Sequence, residues 1–248
     1  MYLIGDIGNT EVKICIFNTN KKLIKRFYIQ SNSINNNNFK SKLKFLNSRK
    51  FKFQKAIFCS VVPKIYKIIK SFINNNFKIS CIELKSLKLN NIIKIKVNKN
   101  QIGSDRLSNA ISIIDNKNNY IIIDFGTATT FDVIIKNNYL GGIIAPGVNL
   151  SLSTLISKAS LIPSLNLTRV NDILGKNTKA AVRSGFYWGY TGLIENLINK
   201  IIEQTKKKYR IILTGGLSHL FKKTITSKVL VDRDLTINGL LKVIHLIK

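Results

Sequence analysis

The sequence predicts a duplicated α/β fold, in which two similar domains each contain a mixed β-sheet flanked by helices. The first indication is a repeated motif: a strand-like apolar run ends in Asp-x-Gly and a second apolar run follows, at residues 6–8 and again at 124–126. The second is the order of elements, since each copy begins a three-strand meander that leads into alternating helices and strands. A polar turn at residues 115–119 separates the copies, so we predict domains at residues 1–115 and 116–248.

The elements of the first copy follow from apolar periodicity and from turn residues. Its predicted strands lie at residues 2–7, 11–18, 23–30, 56–61, 78–83 and 91–97. Its predicted helices lie at residues 37–48, 64–75 and about 104–115. Pro63 marks the start of the second helix, because proline is favoured in the first helical turn.

The second copy repeats this order. Its predicted strands lie at residues 120–124, 128–136, 139–145, 210–214 and 229–231. Helices are expected after Pro146-Gly147, over about 178–207 and over about 235–246. The recurrence of the meander before the helices points to a duplicated α/β domain.

Length and hydropathy define the class of protein. The chain has 248 residues, 45% of them hydrophobic, which is enough for two globular domains with cores of their own. Asp6 interrupts the first apolar run, so no N-terminal signal sequence is expected. The most apolar windows, residues 120–135 and 139–150, contain aspartates or several glycines and a proline. We therefore expect no membrane span and no membrane partner.

The positions of the cysteines and histidines argue against a disulfide and against a metal site built from these residues. Cys15, Cys59 and Cys81 are odd in number, far apart and set in apolar runs. This pattern favours buried, reduced thiols in a cytoplasmic protein. His219 and His245 neighbour no motif carboxylate or cysteine in the sequence, so neither a zinc site nor histidine-based catalysis is expected.

The net charge of +28 raises the question of nucleic-acid binding. Most of the basic residues are lysines, and lysine, asparagine and isoleucine, which dominate the composition together, all have A/T-rich codons. Nucleic-acid recognition usually brings arginine clusters or exposed aromatic residues among the basic ones, and neither pattern is present. Compositional drift explains the charge, and we expect no nucleic-acid partner.

The few acidic residues are informative against this background. Only 12 residues are Asp or Glu, and Asp6, Asp105 and Asp124 stand inside motifs rich in Gly, Thr or Asn. The turns after Asp6 and Asp124 offer backbone N–H groups, hydroxyls and a carboxylate, which can hold phosphate oxygens and a metal ion. Each turn has a glycine at a position that tolerates positive φ. A purely structural hairpin is the alternative for either turn.

Lys13 follows the first turn, in the next apolar run. It can reach a phosphate as a point charge. In a chain so rich in lysine, an unrelated surface position is the alternative.

A third motif, Gly103-Ser104-Asp105-Arg106, opens a predicted helix. Asp105 can accept a proton from a substrate hydroxyl, and Arg106 can bind a carboxylate or phosphate through two parallel hydrogen bonds. Alternatively, Ser104 or Asp105 only caps the helix.

Three further segments have both a functional and a structural interpretation. The glycine-rich residues 141–147 either let the backbone approach another group closely or only form a tight turn. Asn177 or Thr178 caps the long helix or contacts a ligand. Gly215-Gly216 lets a flat nucleoside lie against the backbone or forms a strand-to-helix turn. The chain has neither a Gly-x4-Gly-Lys-Ser/Thr loop nor a Gly-x-Gly-x-x-Gly fingerprint.

As a set, these motifs resemble the type III pantothenate kinase family, within the superfamily of acetate and sugar kinases, Hsp70 and actin. The matching motifs, in chain order, are Asp6-Ile7-Gly8-Asn9-Thr10 with Lys13, Ser60-Val61-Val62-Pro63, Gly103-Ser104-Asp105-Arg106, Asp124-Phe125-Gly126-Thr127-Ala128-Thr129-Thr130, Gly141-Gly142 with Pro146-Gly147, Asn177-Thr178, and Thr214-Gly215-Gly216. The resemblance spans nearly the whole chain. It implies two actin-like (ribonuclease H-like) domains with the active site in the cleft between them.

The resemblance also implies an activity, which is the ATP-dependent phosphorylation of pantothenate at its 4′-hydroxyl, the first step of coenzyme A synthesis. It implies a homodimer whose active site is completed across the interface. ATP and pantothenate are then the expected partners, with Mg²⁺ and a monovalent cation, potassium or ammonium, as cofactors.

Residue roles follow from the same resemblance. Contacts with ATP fall on Asp6 (with its Mg²⁺), Gly8, Asn9, Thr10, Lys13, Thr127, Gly215 and Gly216. Contacts with pantothenate fall on Lys96, Gly103, Ser104, Asp105, Arg106 and Thr178. The general base falls on Asp105, and the ligand of the monovalent cation falls on Asp124.

The chain departs from the family pattern before the Gly-Ser-Asp-Arg motif. The family usually has a Tyr-x-Asn-Pro run there, whose tyrosine helps to form the pantothenate pocket. This chain has Lys96 at the tyrosine position and Lys99 at the proline position, with Asn98 retained. Lys96 can still meet the pantothenate carboxylate.

Two alternatives share this fold. One is a non-catalytic, regulatory homologue, for which the altered Lys96 position and the basic surface are the motivation. The other is a kinase for a different small alcohol. The three intact aspartates argue against the first, and the Gly-Ser-Asp-Arg and Asn-Thr motifs favour pantothenate over another alcohol.

Overall fold

A computed structural model describes residues 1–35, 37–47 and 51–247. Its strands are β1 (Tyr2–Ile7), β2 (Glu11–Phe17), β3 (Leu23–Gln30), β4 (Lys55–Ser60), β5 (Cys81–Glu83), β6 (Lys94–Ile95), β7 (Asn119–Phe125), β8 (Ala128–Ile135), β9 (Asn138–Pro146), β10 (Arg210–Gly215) and β11 (Val229–Val231). Its α-helices are α1 (Phe39–Lys42), α2 (Pro63–Phe77), α3 (Ser104–Ile113), α4 (Val148–Lys158), α5 (Thr178–Thr205), α6 (Ser218–Phe221) and α7 (Leu235–Val243).

The chain forms two compact units. The first unit consists of Met1–Ile114 together with Asp234–Lys248, and the second of Asp115–Arg233. The predicted second domain, 116–248, had included the C-terminal helix, whereas α7 packs in the first unit. A Cβ at Gly239 would lie 1.9 Å from the carbonyl oxygen of Ser108, so the absence of a side chain there lets α7 lie directly against α3.

The two units repeat one sheet topology. In the first unit the strand order is β3-β2-β1-β4-β5, and in the second the strands run β9-β8-β7-β10-β11. In both, the meander is antiparallel and the remaining strands pair in parallel. The predicted fold class, a duplicated mixed α/β sheet, is therefore confirmed.

Isoleucine-rich runs form the centre of each sheet. β1 and β4 are buried along most of their length, as are β7 and β10. β-Branched side chains pack well on a pleated surface that is covered by helices. On α5, Ile194, Ile198 and Ile201 recur at helical spacing and are buried in the core of the second unit.

Three predicted elements in the first unit are shorter than expected, and one of them, the strand predicted at 78–83, is reduced to β5. Residues 37–47 form α1 and a 3₁₀ turn, Lys44–Asn47, instead of one helix, and Ser48 lies outside the described residues. The side chain of Asn35 accepts hydrogen bonds from the backbone N–H groups of Asn37 and Asn38, which competes with helix formation. The predicted strand 91–97 is reduced to β6.

No helix in the described part of the chain is long and apolar enough to cross a membrane.

Candidate active site

Asp6 lies between two polar neighbours in the first sheet. It is directly opposite Lys13 on β2 and Cys59 on β4, so the three side chains share one face of the sheet. The Cys59 thiol donates a hydrogen bond to Oδ1 of Asp6, with a distance of 3.3 Å between sulfur and oxygen. Register alone therefore places an ammonium and a thiol on either side of the first motif carboxylate.

The surroundings of Asp6 raise the pKa of its carboxyl group. Burial and the nearby charge of Asp105 raise the pKa of Asp6 to about 6, although the Cys59 hydrogen bond and Lys13 act in the opposite direction. The charge of Glu11 adds to the increase. A carboxylate held in this way is stabilised when a cation or its bound water comes close.

Lys13 is held by a second carboxylate. Its Nζ lies 3.7 Å from Oδ1 of Asp234, at the start of α7. Arg26 donates a hydrogen bond to the other oxygen of Asp234 at 2.6 Å. The Lys13 ammonium also lies 5.8 Å from the centre of the Tyr28 ring. The lysine is thus part of an ion cluster that links β2, β3 and α7.

The first Asp-x-Gly turn is tight. The N–H of Gly8 donates to the carbonyl of Glu11 at 3.0 Å, and the Ser31 hydroxyl donates to the carbonyl of Gly8 at 2.6 Å. Asn9 and Thr10 are exposed at its tip. The turn therefore has a fixed backbone and an accessible tip, as a phosphate-binding turn requires.

The glycines of the two turns do not have positive φ, contrary to the expectation from the sequence. At Gly8 the requirement is space, since a Cβ there would lie 3.1 Å from the Glu11 carbonyl oxygen. In the second turn, the N–H of Gly126 donates to the carbonyl of Ala128 at 3.1 Å.

Asp105 lies in the first turn of α3. Its Oδ1 accepts a hydrogen bond from the N–H of Arg106 at 2.8 Å. A Cβ at Gly103 would lie 2.3 Å from the same oxygen, so this glycine leaves the space that the carboxylate occupies. Burial raises the pKa of Asp105, while the bond from Arg106 and its charge lower it. A raised pKa is what a general base working near neutral pH needs.

Neither Ser104 nor Asp105 is the N-cap residue of α3, which is Gly103. Ser104 is buried, and its hydroxyl donates a short hydrogen bond to Glu83. Arg106 is partly buried beside Asp105, and Lys96 is exposed. Gly103 is thus the N-cap residue, although the Asp105 carboxylate does accept one free N–H of the first turn, that of Arg106.

Asp124 occupies the position in the second sheet that Asp6 occupies in the first. It is directly opposite Thr130 on β8 and Thr214 on β10. Among the described residues, the buried hydroxyl of Thr130 has no hydrogen-bond partner. Gly215 has φ of +81°, and a Cβ there would lie 2.5 Å from Oδ1 of Asp124. The neighbours of Asp124 on the flanking strands are thus hydroxyls, where those of Asp6 are a thiol and an ammonium.

The other residues assigned to ligands in the second unit are accessible. Thr127 is exposed, and its carbonyl oxygen would be 2.1 Å from a Cβ at Gly147, which explains that glycine. Gly216 is exposed, with its N–H donating to the carbonyl of Phe125 at 3.2 Å. The side chain of Asn177 accepts a hydrogen bond from the N–H of Ala180, so Asn177 caps α5.

That cap leaves Thr178 exposed as the first residue of α5. Of the two sequence interpretations, the structural one therefore applies to Asn177. The ligand interpretation stays a prediction for Thr178.

The first unit brings together the carboxylates of Asp6 and Asp105, and the second brings Asp124 next to Gly215. Sequence reasoning did not identify Cys59 and Thr130, which neighbour Asp6 and Asp124. It also did not identify Glu83 and Asp234, which bind Ser104 and Lys13. Glu83 and Asp234 had one available signal, since acidic residues are rare in this chain. Cys59 and Thr130 become neighbours of the aspartates only through strand register.

The repeated sheet, with an aspartate at the end of each first strand, is the duplicated actin-like fold that the sequence predicts. Solved structures agree with this fold. A protein described as a 2-dehydro-3-deoxygalactonokinase from Sinorhizobium meliloti aligns with a TM-score of 0.62 at 9% identity, over 100% of this chain and 99% of that one. A protein described as a conserved Baf family transcriptional activator from Campylobacter jejuni aligns with a TM-score of 0.62 at 21% identity, over 98% and 97%.

Sequence comparison is more specific. The type III pantothenate kinase family profile matches residues 2–200. The type III pantothenate kinase of Pelagibacter ubique is 55% identical over 248 residues, covering 100% of both chains. That of a Sulfurihydrogenibium species is 35% identical over 97% of this chain and 98% of its own. The chain belongs to the type III pantothenate kinase family, and it phosphorylates pantothenate with ATP, the first step of coenzyme A biosynthesis.

Proposed function

We propose that Asp105 is the general base of this reaction and that Asp6 and Asp124 serve the nucleotide and a monovalent cation, respectively. The observation that supports the proposal best is the position of Asp105, whose carboxylate is mostly buried at the start of α3 and raises the pKa of Asp6 by its charge. Two carboxylates that influence each other's charge in this way suit a site that receives a cation and a substrate hydroxyl.

Phosphoryl transfer requires alignment and charge neutralisation more than covalent chemistry. Asp105 would accept a hydrogen bond from the primary alcohol of pantothenate and orient it. A carboxylate is a weak base towards an alcohol. The proton of the alcohol would therefore transfer late, as negative charge leaves the attacking oxygen. The bond from the N–H of Arg106 keeps the Asp105 carboxylate in one orientation for this task.

Contacts with the ATP phosphates are assigned to the turn after β1. The tip residues Asn9 and Thr10 are exposed, and the backbone of Gly8 is fixed by hydrogen bonds on both sides. Lys13 adds a positive charge beside Asp6. The family resemblance also assigns contacts with ATP to Thr127, Gly215 and Gly216.

Asp6 suits a Mg²⁺ ion that accompanies ATP. Carboxylate oxygens are the type of ligand that Mg²⁺ prefers. The raised pKa of Asp6 indicates a buried carboxylate that a nearby cation would stabilise. When bound, Mg²⁺ neutralises charge that develops on the phosphate oxygens.

Asp124 suits potassium or ammonium. The buried Thr130 hydroxyl directly opposite it has no partner among the described residues, and such an orphaned oxygen is a ready ligand for a cation held by Asp124. A bound monovalent cation would supply further positive charge.

Pantothenate binding is assigned to the Gly103–Arg106 segment, Lys96 and Thr178. The guanidinium of Arg106 and the exposed ammonium of Lys96 are suited to the pantothenate carboxylate. Because the Ser104 hydroxyl donates to Glu83, we assign the contribution of Ser104 to its backbone.

The homodimer of the proposal is supported by exposed apolar side chains in the second unit. Large hydrophobic residues are exposed along β9, α4 and the segment up to α5, namely Leu140, Ile144, Leu150, Leu155, Leu161, Ile173 and Leu174. Such a concentration is typical of a surface covered by another chain. A cytoplasmic location also belongs to the proposal, with the three free, buried cysteines as its support.

A coupled assay of ADP release tests the proposal. We expect release to require pantothenate and Mg²⁺ and to increase on adding potassium or ammonium. The potassium response should disappear in Asp124→Asn. An equal response to potassium in the wild type and in Asp124→Asn would remove Asp124 from the cation site.

A further inference from the structure

Two side chains, one at the end of β5 and one just after it, hold the chain that leads into α3. Glu83 accepts a short hydrogen bond from the Ser104 hydroxyl through one carboxylate oxygen, and a bond from the N–H of Lys85 at 2.6 Å through the other. The Nζ of Lys85 donates to the carbonyls of Asn100 and Ile102, at 3.1 and 2.9 Å. We call Glu83 and Lys85 the 83/85 clamp.

The clamp binds the chain on both sides of Gly103. Lys85 binds the carbonyls that precede the glycine, and Glu83 binds the side chain that follows it. Glycine is the most flexible residue of the chain, so an unanchored Gly103 would let the start of α3 move. The two side chains together remove that freedom.

The Glu83–Ser104 bond is protected from water. Ser104 is 2% exposed, and the neighbours Leu84 and Ile102 are 0% and 4% exposed. Hydrogen bonds to a charged acceptor in a low-dielectric environment are stronger than surface bonds. The Glu83–Ser104 bond therefore restricts the movement of this segment more than an exposed hydrogen bond would.

Asp105 is the residue next to Ser104. Its carboxylate occupies the space left by Gly103 and accepts from the N–H of Arg106, so its position depends on the backbone of this segment. A shift of about 1 Å in a reacting group can reduce a rate by about 10²-fold. Movement of the first turn of α3 would thus reach the proposed base directly.

We propose that Glu83 and Lys85 are positioning residues of the kinase, which fix the Asp105 carboxylate by anchoring both sides of Gly103. This inference rests on the proposed role of Asp105 as the general base. The clamp itself touches neither nucleotide nor pantothenate in this role. It acts through the backbone and through the Ser104 hydroxyl.

The first test is the kinetic effect of Glu83→Ala. We expect kcat to fall by about 10- to 100-fold, with the KM for ATP within about twofold of the wild type, because the turn after β1 retains its own hydrogen bonds. Glu83→Gln keeps one acceptor oxygen for Ser104 and should restore part of the lost kcat. Because a smaller folded fraction would also lower the apparent kcat without changing the KM, each kcat is calculated per folded enzyme.

Glu195→Ala is a matched control. Glu195 on α5 in the second unit also accepts a backbone N–H and a hydroxyl, both from Thr226, at 2.5 and 3.1 Å. The variant removes the same kinds of bond from the second unit, whereas Asp105 lies in the first. Its kcat should equal that of the wild type.

Lys85→Met provides a second test of the positioning role if Glu83→Ala does not fold. It removes the ammonium that binds Asn100 and Ile102 but keeps the aliphatic length of the side chain. We expect kcat to fall several-fold without change in the KM for ATP. Circular dichroism and thermal unfolding establish that each variant is folded at the assay temperature.

A double-mutant cycle with Asp105→Asn decides whether the clamp acts through Asp105. If it does, Glu83→Ala in the Asp105→Asn background lowers kcat no further. Full additivity, or a wild-type kcat in folded Glu83→Ala and Lys85→Met, overturns the inference while leaving the role of Asp105 intact. Near-normal turnover in Asp105→Asn alone overturns the proposed base itself.

Discussion

The thiol of Cys59 donates a hydrogen bond to the carboxylate of Asp6, with sulfur and oxygen 3.3 Å apart. The two residues are register partners on neighbouring parallel strands, and Cys59 is fully buried. A thiol is a weak donor, so it offsets only part of the cost of burying the carboxylate. The pKa of Asp6 is accordingly raised to about 6 by burial and by the charge of Asp105.

A first prediction concerns stability and pH. Asp6 ionises near 3.8 in the unfolded chain and near 6 in the folded protein, so between these values the folded protein binds more protons. The free energy of unfolding contributed by Asp6 therefore decreases as the pH rises from about 4 to about 6. Asp6→Asn should gain stability over the wild type across this range, by no more than about 3 kcal/mol, and keep the gain at higher pH.

The measurement is the difference in Tm between Asp6→Asn and the wild type from pH 4 to 8, without ligands. Asp115→Asn is a control of opposite sign. Hydrogen bonds from the N–H groups of Lys117 and Asn118 hold the pKa of Asp115 below its usual value, so this variant should lose stability at neutral pH. A pH-independent Tm difference for Asp6→Asn would refute the assignment.

A second prediction concerns Lys13. If its ammonium meets an ATP phosphate, Lys13→Met removes a charge-assisted bond of about 1.5–3 kcal/mol, which corresponds to a KM for ATP about 10- to 100-fold higher. Lys25→Met is the control, since Lys25 is exposed on β3 and lies over the Phe27 ring. Steady-state kinetics with ATP varied would disprove the contact if both variants had the same KM.

A third prediction compares two adjacent glycines. Gly215→Ala must accommodate a Cβ at φ of +81° and 2.5 Å from Asp124, whereas a Cβ at Gly216 would meet nothing within 4 Å. We expect Gly215→Ala to lower the free energy of unfolding by about 1–3 kcal/mol and Gly216→Ala to change it little. Urea unfolding of the two variants measures this, and equal losses would contradict the geometry.

A fourth prediction concerns the proposed homodimer. Leu161 and Leu174 are 90% and 80% exposed, and the double variant Leu161→Asp/Leu174→Asp should convert a dimer into a monomer. Leu230→Asp is the control, because Leu230 is exposed on β11, an edge strand of the second sheet that is separated from β9 by three strands. Light scattering after size exclusion gives the mass. A monomeric wild type would end the dimer proposal.

Much of the fold could be predicted from the sequence, because its signals are local. Isoleucine-rich runs bounded by turns gave the central strands, and Pro63 and the Pro146-Gly147 pair marked helix starts that the structure confirms. The packing of α7 in the first unit could not be predicted, since it depends on the contact of Gly239 with Ser108, far apart in the sequence. The asparagine-rich stretch near α1 has helical periodicity but forms competing side-chain bonds.

The candidate site divides in the same way. Asp6, Asp105 and Asp124 were identifiable because each stands in an unusual local sequence. Their partners were not, because Cys59 and Thr130 lie among ordinary strand residues and become neighbours only through register. Glu83 is joined to Ser104 by tertiary packing, for which the sequence contains no local pattern.

The most direct measurement is the turnover of Asp105→Asn with pantothenate and ATP, together with its affinity for ATP. We expect kcat to fall by about 10²–10⁴-fold while ATP binding stays near the wild-type value, because the variant loses the base but not the phosphate turn. In the wild type, kcat should fall on the acidic side at a pH above the usual pKa of an aspartate, since burial raises the pKa of Asp105. Near-normal turnover in Asp105→Asn would contradict the account.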